Sequence, residues 1–233
     1  VKAAVIIAFR DRGIDPLRSA NLVRVADHWA GYDCKVVVAS DGRADDAQFN
    51  RSAAYNRAVD LVPDADVLIF TESDIIISYE QVDRAVGLAL DAPGMVIPFS
   101  WFMALSEEDS ARVRAYQVDP VDCEKSPVKG HRGSIGAAGV VSRETYDLAG
   151  GYDERFEGAW YDDDAMKIAF DIAAGPTRWV EGSVYHLYHL SGGKGAHLSR
   201  EDRVATSRNR LRLRMYQQAR TPEQVRSLTT GVL

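Results

Sequence analysis

The sequence predicts an α/β fold: a single, Rossmann-like, mostly parallel twisted sheet flanked by helices. Two observations lead there. Short apolar runs of strand length alternate with helix-periodic segments through residues 1–100, and such alternation builds a parallel sheet with helical crossovers. Polar and charged residues also follow the first three runs directly: Arg10-Asp11-Arg12, Ser40-Asp41 and Thr71-Glu72-Ser73-Asp74. Open sheets of this class bind ligands beyond the carboxyl ends of their strands, so function is expected at these positions.

Each element follows from local chemistry. Ala3–Phe9 is the continuous apolar run of a buried parallel strand. Leu17–Trp29 carries apolar residues at helical spacing and is entered through Asp15-Pro16, a helix-start signal. Cys34–Ser40 reads as the second strand, Ser52–Leu61 as a helix stopped by Pro63, Val67–Phe70 as the third strand and Tyr79–Leu90 as the third helix. Farther on, Val96–Phe99 reads as a strand, Glu107–Val118 as a polar helix and Asp119–Ile135 as a loop rich in Pro and Gly. Gly136–Ser142 returns as a small-residue strand, followed by a short helix ending at Gly150-Gly151. Asp163–Ala174 is helical, Arg178–His189 extended, and Arg200–Gln218 a long Arg-rich helix. With no repeat and no clean linker, residues 1–233 are expected to form one domain.

Bulk composition narrows the function classes. Of 233 residues, 46% are hydrophobic and 27% charged, as in proteins that bury a full core. A formal net charge of −6 argues against wholesale coating of nucleic acid or an anionic membrane. No run approaches the ~20 apolar residues needed to span a bilayer, and no signal-peptide pattern opens the chain. A cytoplasmic protein with no integral membrane contact is therefore expected. Cys34 and Cys123 are far apart, and buried thiols are expected rather than a disulfide.

Three constellations carry chemistry. Glu72-Ser73-Asp74 places two acids one residue apart after a buried strand, the kind of oxygen ligands a hard divalent cation bound to a diphosphate takes. Alone, such a pair is equally a solvated turn. Tyr185-His186-Leu187-Tyr188-His189 sets two imidazoles three residues apart, where they can meet on one side of a turn. Two imidazoles and a carboxylate suit Mn²⁺ or a similar metal. Asp162-Asp163-Asp164 is a run of acids that repel one another unless exposed, paired with cations or set at a helix N-terminus. At least one is expected to cap the helix, and a functional reading asks one of them to accept a proton from an attacking hydroxyl.

These motifs, in this order, resemble a known family. Val5-Ile6-Ile7-Ala8-Phe9-Arg10-Asp11-Arg12 is similar to the opening V-I-I-P-F-R-x-R of the β-1,4-galactosyltransferases and their bacterial chondroitin-polymerase-like relatives, family-2-type glycosyltransferases of the GT-A fold. Phe49-Asn50-Arg51 resembles that family's F-N-R, and Phe70–Asp74 its F-x-D-x-D with Glu72 at the first acid. Gly139–Arg143 and Gly150–Phe156 resemble its G-V and G-F/Y-D-E-x-F track. Asp162-Asp163-Asp164 falls on its E-D-D, and His186 and His189 on its Met-x-x-His.

The resemblance implies that Asp74, His186 and His189 bind a divalent metal, Mn²⁺ ahead of Mg²⁺. It implies Asp163 as general base beside Asp162. Phe9, Arg10, Arg12, Phe49, Arg51 and Glu72, with Asp74, would line the nucleotide-diphosphate site. The arginine forks suit phosphate oxygens on chemical grounds as well. Residues 1–100 would then be the nucleotide-sugar half, 101–198 the acceptor and catalytic half, and 199–233 an Arg-rich helical tail. The implied reaction is inverting transfer from a UDP-sugar to a hydroxyl of a glycan, protein, small molecule or modified DNA. The Ser191–Gly195 segment with His197, and residues 119–135, are candidates for a lid. Two rivals stand beside it: a nucleotidyltransferase that makes nucleotide sugars, and a non-catalytic carbohydrate- or nucleic-acid-binding module using the arginines of 200–220.

Overall fold

A computed structural model describes residues 1–44 and 46–231. Three strands, β1 (Ala3–Ala8), β2 (Lys35–Ala39) and β3 (Val67–Thr71), are joined by helices α1 (Pro16–Ala30) and α2 (Arg51–Asp60). They pair in parallel with β1 central. Val5, Ile6 and Ile7 of β1 and all of β3 are buried, so both strands are covered on both faces, as parallel strands are. Register aligns their carboxyl ends: Ala8 lies beside Ala39, and Ile7 beside Thr71. The residues that follow these strands therefore emerge at one edge of the sheet.

Helix ends are set by local chemistry. Asp15 caps α1 by accepting from Leu17 N, with Pro16 in the first turn where its missing N–H costs nothing. Asn50 caps α2 by accepting from Ala53 N.

The chain continues through β4 (Ile75–Ile77), α3 (Tyr79–Asp91), β5 (Val96–Ile97), β6 (Trp101–Leu105), α4 (Glu107–Arg114), β7 (Lys125–Pro127), β8 (Ala138–Ser142), α5 (Arg143–Ala149), α6 (Asp162–Ala173), β9 (Arg178–Trp179), β10 (Ser183–His186), α7 (Arg200–Gln218) and α8 (Pro222–Thr230). The main sheet has the order β2-β1-β3-β8-β5-β9, with β8 antiparallel to both neighbours. A second sheet, β4-β10-β6-β7, stands beside it.

The expected α/β sheet is present, and the smaller sheet is an addition to it. Residues 119–135 are not a continuous loop: Pro120–Asp122 forms one 3₁₀ turn, and β7 pairs antiparallel with β6. The expected extended run 178–189 divides between the two sheets, β9 on β5 and β10 between β4 and β6. The bend at Gly182, with φ +140, separates them. Cys34 and Cys123 are both free thiols, the second buried and the first partly so. No helix among the described residues is long and apolar enough to cross a membrane.

Candidate active site

A cleft of about 590 Å³ opens at the carboxyl ends of β1 and β3 and runs to the end of β10. Phe9, Arg10, Arg12, Phe49 and Arg51 line it, as do Glu72, Asp74, Asp162, Asp163, His186 and His189. The catalytic, nucleotide-site and metal residues implied by the resemblance thus share one cavity, although they come from segments far apart in the chain; Ser40, Asp41 and Asp164 do not line it.

Sheet pairing builds one corner. Asp74 immediately precedes β4, whose Ile75 lies directly opposite His186 in the antiparallel pair with β10. Leu187 N donates to the Asp74 carbonyl at 2.8 Å, fixing the exit from β10 so that His189 returns toward the same carboxylate. His189 Nε2 lies 2.9 Å from Asp74 Oδ2, and His186 Nε2 lies 3.8 Å from Oδ1. The two Nε2 atoms are 3.0 Å apart. Ligand atoms about 2.1 Å from one ion at right angles stand about 3 Å from one another, so this spacing fits a shared cation.

Two further observations support that fit. Asp74 is buried, and its Oδ1 has no hydrogen-bond partner, a costly condition unless a ligand satisfies it. His189 Nδ1 donates to the Leu190 carbonyl at 2.7 Å, which orients the ring and turns Nε2 toward the carboxylate. Burial works against the ionised Asp74, yet the His186 and His189 imidazoles facing it hold its carboxyl down to about 2. His186 is pushed below the usual imidazole range by burial. For His189 burial also lowers the pKa, but the hydrogen bond and charge of Asp74 outweigh it and raise the net value.

The opposite corner is saturated with internal pairs. Arg51 meets Asp162 through two parallel bonds, Nε and Nη2 each donating at 2.7 Å, and its Nη1 is ion-paired with Glu72. Asp163 Oδ1 stands 3.8 Å from Arg51 Nη2. All three acids of the 162–164 run occupy the first turn of α6, where the helix dipole favours negative charge. They are delivered there through Trp160 and Tyr161, consecutive non-glycine residues with φ of +71 and +76. Left-handed backbone at two such residues stores strain and points to a functional constraint.

The neighbouring segment is braced by α7. Asn209 Nδ2 donates to the carbonyls of Glu157, Ala159 and Trp160 at 2.8, 3.2 and 3.1 Å. Arg212 is ion-paired with buried Asp153, which also accepts from Tyr216 Oη at 2.8 Å. The inward face of the Arg-rich helix thus serves the site's architecture.

Asp163 sits where glycine is needed: a Cβ at Gly136 would collide with its Oδ2. Burial pushes the Asp163 carboxyl up to about 6, repulsion from Asp162 and Asp164 adds to this, and Arg51 opposes it. Glu72 is pushed up to about 8, again by burial against the pull of Arg51. A carboxylate poised near neutrality at a cleft wall is suited to general-base work.

Not every arginine at the cleft is free for phosphate. Arg10 lies at the wall, but its guanidinium donates to Asp41 Oδ1 at 2.8 Å, Ala44 O at 2.6 Å and Ala47 O at 2.8 Å. Arg12 Nη1 donates to Asp202 at 3.2 Å. Sequence reasoning missed Arg18, Phe102 and Asp202, which also line the cleft. A signal for Arg18 was present, since it sits in the first turn of the helix that Asp15-Pro16 announces just after β1.

No family model matches the chain, and no curated protein matches it in sequence. Solved structures do match in fold. The catalytic domain of Drosophila β-1,4-galactosyltransferase 7, in complex with xylobiose, superposes with a TM-score of 0.54 at 12% identity, over 95% of this chain and 83% of that one. The chain has the GT-A glycosyltransferase fold. GalNAc-T7 with UDP, GalNAc and Mn²⁺ superposes with a TM-score of 0.50 at 12% identity, over 91% of this chain and 47% of that one. A Drosophila β-1,4-galactosyltransferase 7 variant with manganese, UDP-Gal and xylobiose gives 0.49 at 14% identity, over 77% of this chain and 65% of that one. This GT-A chain therefore spans about half to four-fifths of the lengths of these proteins.

Proposed function

We propose that the chain is a metal-dependent glycosyltransferase that moves a sugar from a nucleotide-diphosphate sugar, a UDP-sugar first, to a hydroxyl acceptor. The observation that carries this reading is the convergence of Asp74, His186 and His189, with ligand atoms all within 4.8 Å, at the cleft's open corner. The orphaned Asp74 Oδ1 supports reading the trio as a cation site. Of the solved structures that share the fold, GalNAc-T7 is complexed with UDP and Mn²⁺, which supports the choice of donor and metal. The full chain acts in this reading as one catalytic domain, with Mn²⁺ ahead of Mg²⁺.

A cation held by these three side chains supplies Lewis-acid stabilisation of a departing diphosphate. The chain's own residues do the rest. Asp163 accepts the proton of the acceptor hydroxyl as that oxygen attacks the sugar carbon from the face opposite the leaving group, giving inversion. Arg51 holds Asp162 and Glu72 in a fixed arrangement, so that Asp163 remains oriented by the α6 first turn and by the small residue at Gly136. Phe9 and Phe49 offer apolar surface to a nucleobase.

The test is release of free nucleoside diphosphate from a panel of nucleotide sugars, with Mn²⁺ and with chelator, alongside a thermal-shift assay of each donor plus Mn²⁺. Metal-dependent release or stabilisation with at least one donor is expected. Neither with any donor would defeat the enzyme reading and return the chain to the class of binding modules.

A further inference from the structure

A nucleoside diphosphate brings about two to three negative charges, and phosphate oxygens are received by unpaired cations and N–H donors. The cleft is rich in acids, among them Asp11, Asp15, Glu72, Asp74, Asp162 and Asp163. Its cations are four arginines: Arg10, Arg12, Arg18 and Arg51. Three are already neutralised within the fold, by Asp41, by Asp202, and by Asp162 with Glu72. Arg18 differs. Among the described residues it makes no ion pair, and its one side-chain bond is Nη2 to the Leu190 carbonyl at 2.9 Å. Most of its five N–H donors are unengaged.

Its position is fixed beside the trio of Asp74, His186 and His189. The Leu190 carbonyl that accepts from Arg18 also accepts from His189 Nδ1, so the guanidinium and the imidazole share one oxygen. One face of α1 is stitched to this segment at three successive points. Asp15 Oδ2 accepts from Leu190 N at 2.6 Å, Arg18 donates to Leu190 O, and Asn21 Nδ2 donates to Tyr188 O at 3.2 Å. Spacings of three residues place all of them on the same side of the helix. The guanidinium is therefore pre-oriented without being ion-paired among the described residues, a condition that lowers the cost of engaging an anion.

We infer that Arg18 receives the diphosphate of the nucleotide donor, beside the cation held by Asp74, His186 and His189. This rests on the nucleotide-sugar reading above and sharpens it. The phosphate-gripping role falls to Arg18, while Arg10 serves as a clamp that holds Asp41, Ala44 and Ala47 near the end of β1. Discrimination between nucleoside diphosphate and monophosphate then depends on Arg18.

The experiment titrates UDP and UMP, each with saturating Mn²⁺, into wild type, Arg18→Gln and Arg18→Lys, and separately titrates Mn²⁺ alone by electron paramagnetic resonance. GDP, CDP and TDP are run against wild type in the same way. Wild type is expected to bind at least one diphosphate. In Arg18→Gln its affinity falls about 10- to 100-fold, the scale of a lost charged hydrogen bond, and the preference for diphosphate over monophosphate shrinks. Mn²⁺ alone binds Arg18→Gln as well as wild type or better, because a positive charge beside the cation has been removed. Arg18→Lys recovers part of the loss. Undiminished diphosphate binding in Arg18→Gln would overturn the inference and leave the donor reading intact. Equal loss of Mn²⁺ alone would also overturn it, since Arg18 would then act only by bracing His189. Failure of wild type to bind any of the four diphosphates would overturn the nucleotide reading, and this inference with it.

Discussion

The two corners of the cleft are built on opposite principles. At the Arg51 corner, donors and acceptors are matched inside the fold: a guanidinium forks onto Asp162 and reaches Glu72. At the Asp74 corner, two imidazole nitrogens and a carboxylate face one another with an oxygen left unpartnered. The resemblance gave Arg51 and Glu72 a place in the nucleotide-diphosphate site, Asp163 beside Asp162 the role of base, and Asp74, His186 and His189 the metal. The structure separates them. A saturated network fixes geometry, whereas an unsatisfied cluster is a place for a ligand.

The largest expected effect lies where the two corners serve one reaction. Asp163→Asn should lower turnover by about 10²–10⁴-fold, the usual contribution of a general base, while calorimetry shows Mn²⁺ and donor binding retained. Retained turnover would move the base elsewhere. Next, the corners should respond differently to removal of a charge. Arg51→Met strands buried carboxylates and should cost about 3–5 kcal/mol in urea unfolding, the range for breaking a buried pair. Asp74→Asn should abolish Mn²⁺ binding with a smaller loss of metal-free stability, because it weakens one contact with His189 and strands no buried carboxylate; comparable destabilisation by both would erase the distinction.

Gly136→Ala should displace the Asp163 carboxylate and lower turnover by up to about 10²-fold, as misplacement by an ångström does, with an unchanged circular dichroism spectrum. A variant as active as wild type would show that Asp163 does not need its place against residue 136. The pH profile comes next. Asp163 must be deprotonated to act, so at saturating Mn²⁺ turnover should be half-maximal near pH 6, level off about a unit above it, and approach a tenfold fall per unit as pH drops below it. A profile flat down to pH 4 would exclude a base with a raised pKa. The smallest effect is expected at Arg214, exposed on α7 and not part of the bracing contacts of Asn209 and Arg212. Arg214→Gln should leave turnover unchanged and stability within about 0.5 kcal/mol; a loss of turnover would give the outer face of α7 a role in the reaction.

Much of this was legible in the chain. The strands β1 and β3 are unbroken apolar runs, and α1, α3 and α7 begin at Asp15, Ser78 and Ser199, each an oxygen-bearing cap. Local periodicity and local capping suffice for such elements. The second sheet was not legible, because β6 and β7 are held by pairing rather than by pattern. β7 is Lys-Ser-Pro, and β6 is completed by β10, about 80 residues away. In the site, the identities of Asp74, His186, His189 and Asp163 were readable as motifs. What each arginine does was not, since Arg10 and Arg51 differ from Arg18 only through carboxylates that the fold brings to the first two.

The central claim is that the open corner holds a cation for a diphosphate donor. Its most direct test is titration of Mn²⁺ into the protein with UDP present, followed by electron paramagnetic resonance of the free ion. One ion bound per chain is expected in wild type, with binding lost in Asp74→Asn and in His189→Ala. Absence of Mn²⁺ binding by wild type, or binding by Asp74→Asn equal to wild type, would contradict it.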